Sequence, residues 1–197
     1  MVKRIFDILF ACIVLILTAP LFFFITIVIK IYSPGPLLYK GRRVGQYGKI
    51  FYIFKFRTMV VNAEKLGGSA TAGDDSRITR VGHILRKYKL DELPQFINIA
   101  RGEMSFVGPR PDVEKILALY SQEEKVILNL VPGITDYATL WDFNEGEVLR
   151  GSLNPEEMYI REILPIKKQL QLKYMRERSF FVDLKIICLT IRKLFSF

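Results

Sequence analysis

Within "KLDELPQFINIARGEMSFVGPRP", residues 89–111, two adjacent carboxylates, Asp91 and Glu92, open a helical pattern and are followed by a Gly-Pro-Arg-Pro corner. On position alone, a carboxylate at a helix start caps free N–H groups, and one in the first turn favours the helix dipole. The company of the pair adds a second reading. Arg86 lies one turn upstream, Arg110 is fixed between Pro109 and Pro111, and Gly108 permits close backbone approach, so cations can converge on an anion beside the carboxylates. Carboxylates beside cations at a helix N-terminus suit phosphoryl transfer, which needs a nucleophile, charge neutralisation and, commonly, Mg²⁺. Lys55 and Arg57 share one face of "FYIFKFRTM". They suit phosphate binding or, more plainly, an edge strand guarded by charge.

Other chemistries are poorly provided for. The single histidine, His83, sits in a helical pattern beside no nucleophile, which disfavours a hydrolytic triad. Cys12 and Cys188 lie in apolar runs without metal-ligand or redox spacing.

The elements that hold these residues are mainly helical. "FYIFKFRTM" alternates as a half-buried strand, with Phe54 and Phe56 on one side, and Gly45 and Gly48 suit the turn of a short hairpin before it. "NAEKLGGSATAGDDS" reads as a mobile surface loop. Thr79 can cap a helix carrying Val81, Ile84, Leu85 and Tyr88 on one stripe, and a second helix carries Leu93, Phe96, Ile97 and Ala100 and closes at Gly102. Asn154 and Pro155 open a later helix that Pro165 breaks or kinks. The last segment places Phe180, Leu184, Ile187, Ile191 and Phe195 on one stripe, suited to a core or to a membrane interface.

At the N-terminus the chain is apolar from Ile8 to Ile29, about 33 Å of helix against a bilayer core of about 30 Å. Lys3 and Arg4 precede the run, and Lys30, Lys40, Arg42 and Arg43 follow it, so the positive-inside rule draws both ends to the cytoplasm. Pro20 frees a carbonyl one turn earlier, where Thr18 offers a hydroxyl. These residues fit either a kinked transmembrane helix or a helix-break-helix hairpin that enters and leaves one face. The net charge of +9 asks for an anionic partner, and beside such a segment an anionic leaflet explains it more simply than nucleic acid. The 197 residues suffice for one domain and an appendage.

"RIFDILFACIVLILTAP", "FYIFKFRTM", "ITRVGHILRKYKLDELPQFINIARGEMSFVGPRP" and "VPGIT" occur in the order seen in the bacterial sugar transferases, and the chain resembles those monotopic phosphoglycosyl transferases closely from about residue 1 to 135. The resemblance implies a re-entrant membrane anchor, residues 1–36, broken near Pro20, and a cytoplasmic domain, residues 37–197, that is mainly α with a small β-hairpin and interfacial helices. It implies transfer of a sugar phosphate from a UDP-sugar to undecaprenyl phosphate, release of UMP, Mg²⁺ held in part by Asp91, and a site at the cytoplasmic face of the inner membrane, in contact with membrane lipids and not with nucleic acid. Asp91 matches the nucleophile and Glu92 its partner; Arg86 and Arg110 match positions near phosphate and nucleotide, with Lys55 and Arg57 as weaker matches. After Thr135 the chain departs from the commoner Gly-Trp-Ala-Gln pattern, so Asp136, Tyr137, Trp141 and Asn144 shape either a sugar site or an ordinary loop. Oligomeric state is left open, a homodimer included, and the rival reading is a membrane-tethered scaffold without catalysis.

Overall fold

The computed structural model describes residues 2–68 and 70–196. Its first element, α1 (Val2–Tyr32), is a single helix of 31 residues that runs through Pro20, where the sequence reading expected a break. Proline's fixed φ is compatible with a helix, so the cost is confined to one lost hydrogen bond and local crowding. The Thr18 hydroxyl donates to the Val14 carbonyl at 2.7 Å, two residues further back than the carbonyl that Pro20 orphans.

Both ends of α1 dock on the rest of the molecule. Near the start, Arg4 donates to the Ile99 carbonyl at 2.9 Å, the Asp7 carboxylate accepts the Phe106 N–H, and Ala11 is fully buried. Towards the end, Ile25 and Ile29 pack with Phe56 and Leu85, and the Phe22 and Phe56 rings lie 5.0 Å apart. The stretch between is open: Ile16 and Leu17 are 73% and 74% exposed.

Strands β1 (Leu38–Val44) and β2 (Ile50–Phe56) form an antiparallel hairpin in which Leu38 faces Phe56. Phe51 and Ile53 enter the main core with Ile99, Met104 and Phe106, whereas Phe56 points the other way against α1. The hairpin is therefore buried on one face and, at the Phe56 end, on the other, while Ile50 and Tyr52 near the turn stay exposed; Lys55 projects from the same face as Ile53. The reading of a solvated edge fails at Lys55, whose ammonium is mostly buried against Glu92 at 2.7 Å.

The segment read as a mobile surface loop makes specific contacts where it is described. Arg77 grips the Asp75 carboxylate at 2.7 Å and donates to the Ala63 and Gly68 carbonyls, while Ala72 is buried with Leu149 and Tyr159. Helix α2 (Arg80–Lys87) follows, with the Thr79 hydroxyl accepting the Gly82 N–H at 2.9 Å. Val81 and Leu85 of its expected stripe face α1, but Ile84 and Tyr88 stay exposed. A side chain at Gly82 would stand 2.0 Å from the Thr58 carbonyl oxygen, so glycine is what lets α2 rest on that strand exit. Helix α3 (Gln95–Arg101) ends at Gly102 with φ of 91°, the left-handed cap that glycine supplies.

A second, parallel pair, β3 (Ser105–Val107) and β4 (Gly133–Thr135), was not foreseen. It brings Gly108 and Gly133 together so closely that a Cβ on Gly133 would lie 2.2 Å from the Gly108 nitrogen. Gly108 thus allows close approach of backbone to backbone.

Between these strands lies α4 (Glu114–Leu117), and after them come α5 (Tyr137–Trp141), α6 (Glu145–Val148) and α7 (Pro155–Met158). Asn154 caps α7 through the Glu157 N–H, as its position predicts. A wide π-type turn at Tyr159–Ile163 then leads into α8 (Leu164–Glu177), with Pro165 in its first turn. The last helix, α9 (Phe180–Leu194), buries Asp183 and Ile186 and leaves much of its expected apolar stripe at the surface, with Ile191 and Phe195 exposed.

Candidate active site

Lys89 has φ of 55°, a left-handed conformation costing about 1–2 kcal/mol for a residue with a side chain. It turns the chain so that Leu90–Glu92 forms a separate 3₁₀ turn between α2 and α3. The carboxylates are therefore not the caps of α3: Pro94 precedes that helix and no side chain caps it. The capping reading of Asp91 and Glu92 is corrected on geometry, and what each carboxylate meets instead is unlike the other.

Glu92 is locked. Its Oε1 accepts from the Lys55 ammonium at 2.7 Å, and the Arg110 guanidinium grips both of its oxygens in a fork. Burial pushes the Glu92 carboxyl up, but Arg110 and Lys55 outweigh that and hold it well below the usual carboxylate range. Glu92 raises the Arg110 guanidinium in return. Asp91 is 6% exposed and accepts no hydrogen bond among the described residues. Burial raises its carboxyl above the usual range, and the charge of Glu92 adds to this, while Lys55, Arg86 and Lys89 pull the other way. One carboxylate is thus held through both oxygens and ionised. The other faces several cations with its lone pairs uncommitted.

Arg86 reaches the same space from α2, where its Nε donates to the Thr58 hydroxyl at 2.9 Å. Burial lowers its guanidinium, with Asp91 opposing. Arg110 owes its position to the paired glycines, since Gly108 N–H donates to the Thr135 carbonyl and Gly133 N–H to the Pro109 carbonyl. The structure therefore brings together Asp91, Glu92, Arg86, Arg110 and Lys55.

Arg57 points elsewhere. It is buried and donates to the Ser33 and Pro34 carbonyls, pinning the segment that leaves α1. A side chain at Gly35 would collide with that guanidinium. Asp136 caps α5 through the Thr139 N–H at 2.7 Å, is fully buried, and keeps its second oxygen without a partner among the described residues. The Tyr137 hydroxyl donates to Glu177 on α8. Trp141 is 47% exposed, and Asn144 precedes α6 without a side-chain cap.

Sequence reasoning missed Lys167 and Lys168 of α8. Lys167 binds Glu145 and sits 3.2 Å from Asp142, and Lys168 is 2.7 Å from Asp112 and 2.9 Å from Gln171. Adjacent lysines in a helix read as a solvated face, so the sequence carried no signal for their burial. Thr58 and Lys89 were also passed over, although both lie inside quoted motifs.

For Mg²⁺ the donor set fits. No group of three or more acidic, histidine or cysteine side chains that would hold a metal occurs among the described residues. Mg²⁺ commonly takes one or two carboxylates and completes its shell with substrate phosphates and water. Asp91, with free lone pairs, meets that demand.

The chain was compared with known proteins. A family profile described as bacterial sugar transferase matches residues 1–197. The uncharacterized sugar transferase EpsL of Bacillus subtilis (strain 168) is 35% identical over 191 residues, covering 97% of this chain and 86% of EpsL. UDP-glucose:undecaprenyl-phosphate glucose-1-phosphate transferase of Escherichia coli (strain K12) is 37% identical over 197 residues, covering 98% of this chain and 40% of that protein. UDP-N-acetylgalactosamine-undecaprenyl-phosphate N-acetylgalactosaminephosphotransferase of Aeromonas hydrophila is 34% identical over 198 residues, 99% of this chain and 44% of its own length. The chain thus spans less than half of the two relatives whose reactions are named.

Proposed function

This chain belongs to the bacterial sugar transferase family, and from that premise we propose that it transfers a sugar 1-phosphate from a UDP-sugar to undecaprenyl phosphate and releases UMP. The reaction is a membrane step that starts assembly of a bacterial glycoconjugate such as an exopolysaccharide. Relatives named for this reaction support it. So does the difference between the two carboxylates, which is the observation that carries the mechanism.

Asp91 is the nucleophile, because neither of its oxygens accepts a hydrogen bond among the described residues, whereas Lys55 and Arg110 hold both oxygens of Glu92. Its oxygen attacks the sugar-bearing phosphorus, the bond from that phosphorus to the bridging oxygen breaks, and UMP leaves with the electron pair. A phosphate oxygen of the acceptor then attacks the same phosphorus, forms the diphosphate and returns Asp91 as a carboxylate. Arg86, Lys55 and Arg110 offset the charge of the two anions that must meet. Glu92 holds Lys55 and Arg110 in place, and its depressed pKa makes it a poor proton acceptor near neutral pH. Asp91 is the residue that would hold Mg²⁺, which when bound would supply further charge neutralisation.

The site works at the cytoplasmic face of the inner membrane, with α1 as a monotopic anchor. Contacts from both ends of α1 to one globular body support this, since a helix that crossed the bilayer would carry its ends to opposite sides.

Purified protein in detergent, given undecaprenyl phosphate and a panel of UDP-sugars, should release UMP with at least one donor. Given that donor without acceptor, it should accumulate a phosphosugar adduct mapped by mass spectrometry to Asp91. UMP release without any such adduct, under ordered rather than ping-pong kinetics, would remove the covalent mechanism. No UMP from any donor would remove the reaction.

A further inference from the structure

A cavity of about 380 Å³ opens between the first turn of α1 and the first turn of α9. That is within the range of about 300–1,000 Å³ typical of small-molecule sites. Its floor is apolar, formed by Val107, Leu130, Val131 and Tyr174. Lys3 and Arg178 stand in its lining. The one acidic lining residue, Asp183, is already neutralised by Lys3 and accepts the Tyr174 hydroxyl at 2.7 Å. The Arg178 guanidinium has no hydrogen bond or ion pair among the described residues, which leaves an uncommitted cation beside an apolar cleft.

Depth identifies the occupant. Lys3 lies five residues, about 7 Å of helix, before the apolar run that starts at Ile8, so the cavity sits where the anchor meets the headgroup layer. Around it Val2 and Phe181 are 74% and 81% exposed, an apolar rim suited to lipid tails. An ammonium or guanidinium there prefers a phosphate, and the floor has room for part of an acyl chain.

We propose that this cavity is a binding site for an anionic glycerophospholipid, with the phosphate on Arg178 and one chain over Val107, Leu130 and Val131. The site is separate from the Asp91 chemistry and rests only on the membrane location proposed above. Its effect is to fix the junction of α1 and α9 at a defined depth in the leaflet.

The full chain in a neutral detergent, supplied with phosphatidylglycerol or phosphatidylcholine, is examined by native mass spectrometry, with flotation on mixed vesicles run in parallel. One phosphatidylglycerol should stay bound in preference to phosphatidylcholine, and Arg178→Ala should weaken that retention about tenfold, the worth of one charge-assisted contact. Val131→Phe, which fills the floor and keeps the cation, should also reduce retention, and a phosphatidylglycerol-dependent rise in Tm should vanish in both variants. Equal retention of both lipids, or wild-type retention by folded Arg178→Ala, overturns the site. Equal binding of glycerol 1-phosphate overturns the acyl-chain half, and preferential retention of undecaprenyl phosphate overturns the choice of lipid. Failure of the wild type to float with any vesicle would instead defeat the membrane location itself.

Discussion

Asp91 and Glu92 are neighbours in sequence with opposite surroundings, and substitutions should separate their roles. Asp91→Asn retains shape and loses the proposed nucleophile, so turnover should fall by about 10³-fold or more, while the fold persists because Asp91 caps no helix. A far-UV spectrum and a UMP assay on one preparation check both halves. Glu92→Gln should damage the structure as well as the rate, since it strands Lys55 and Arg110 with their charges unneutralised. Losing one partner of a mostly buried ion pair typically costs about 3–5 kcal/mol, so denaturant unfolding should report a lower midpoint. The pH behaviour follows from the two directions. Glu92 has a lowered folded pKa, so its stabilisation is full above its unfolded value and is lost as pH falls through the folded one; the protein should weaken in acid. Asp91 has a raised folded pKa, and attack needs the carboxylate. The acid limb of kcat/KM should therefore lie above the ordinary aspartate value of about 4, and it should move to lower pH in any Glu92→Gln protein that folds, because the charge of Glu92 is one cause of the rise.

At the scale of elements, the site depends on places where two backbones touch. Strands β3 and β4 can hold Arg110 opposite Glu92 only because Gly108 and Gly133 carry no side chains. Gly133→Ala should push the strands apart, cost about 1–3 kcal/mol and slow turnover through a misplaced Arg110. Gly146→Ala is the matched control. A Cβ there meets only ordinary contacts, the nearest at 3.4 Å, and alanine favours the short helix α6, so stability should change by less than about 1 kcal/mol. Thermal unfolding of the two variants decides the point, and equal behaviour would mean the glycine contact at Gly133 is not what sets the strand spacing. The same logic applies to α2, where Gly82 rests on Thr58 and so delivers Arg86 to the site.

At the scale of the molecule, α1 is a structural member and, in the function proposed, the anchor. Its buried residues, Asp7, Ala11, Ile25 and Ile29, are tied to two separate parts of the core, while its middle is available to lipid. With Cys12 and Cys188 replaced, single cysteines at Lys3 and Lys40 should both react with a membrane-impermeant thiol reagent only from the cytoplasmic side. Labelling of either from the opposite side would restore a spanning helix. The anchor should also resist extraction by 1 M salt, because exposed Ile16, Leu17, Phe23 and Phe24 hold by apolar contact, which salt does not screen.

Local signals in the sequence determined several helices, the hairpin and the grouping of residues at the candidate site. Thr79, Asn154 and Gly102 mark helix ends because capping acts over three or four residues, and the apolar run of α1 needs only length and composition to be recognised. The grouping of Asp91, Glu92, Arg86 and Arg110 was legible because these residues lie within one short stretch. Tertiary structure alone decided which partners each of them meets. Nothing local distinguishes Asp91 from Glu92, or Lys55 from Arg57. The difference arises when the hairpin, α2 and the paired glycines bring Lys55 and Arg110 to one carboxylate and leave the other open, while Arg57 turns to the carbonyls of Ser33 and Pro34. The burial of Lys167 and Lys168 and the parallel β3–β4 pair were invisible for the same reason: their partners lie tens of residues away, and contacts across such separations leave no periodicity in the chain.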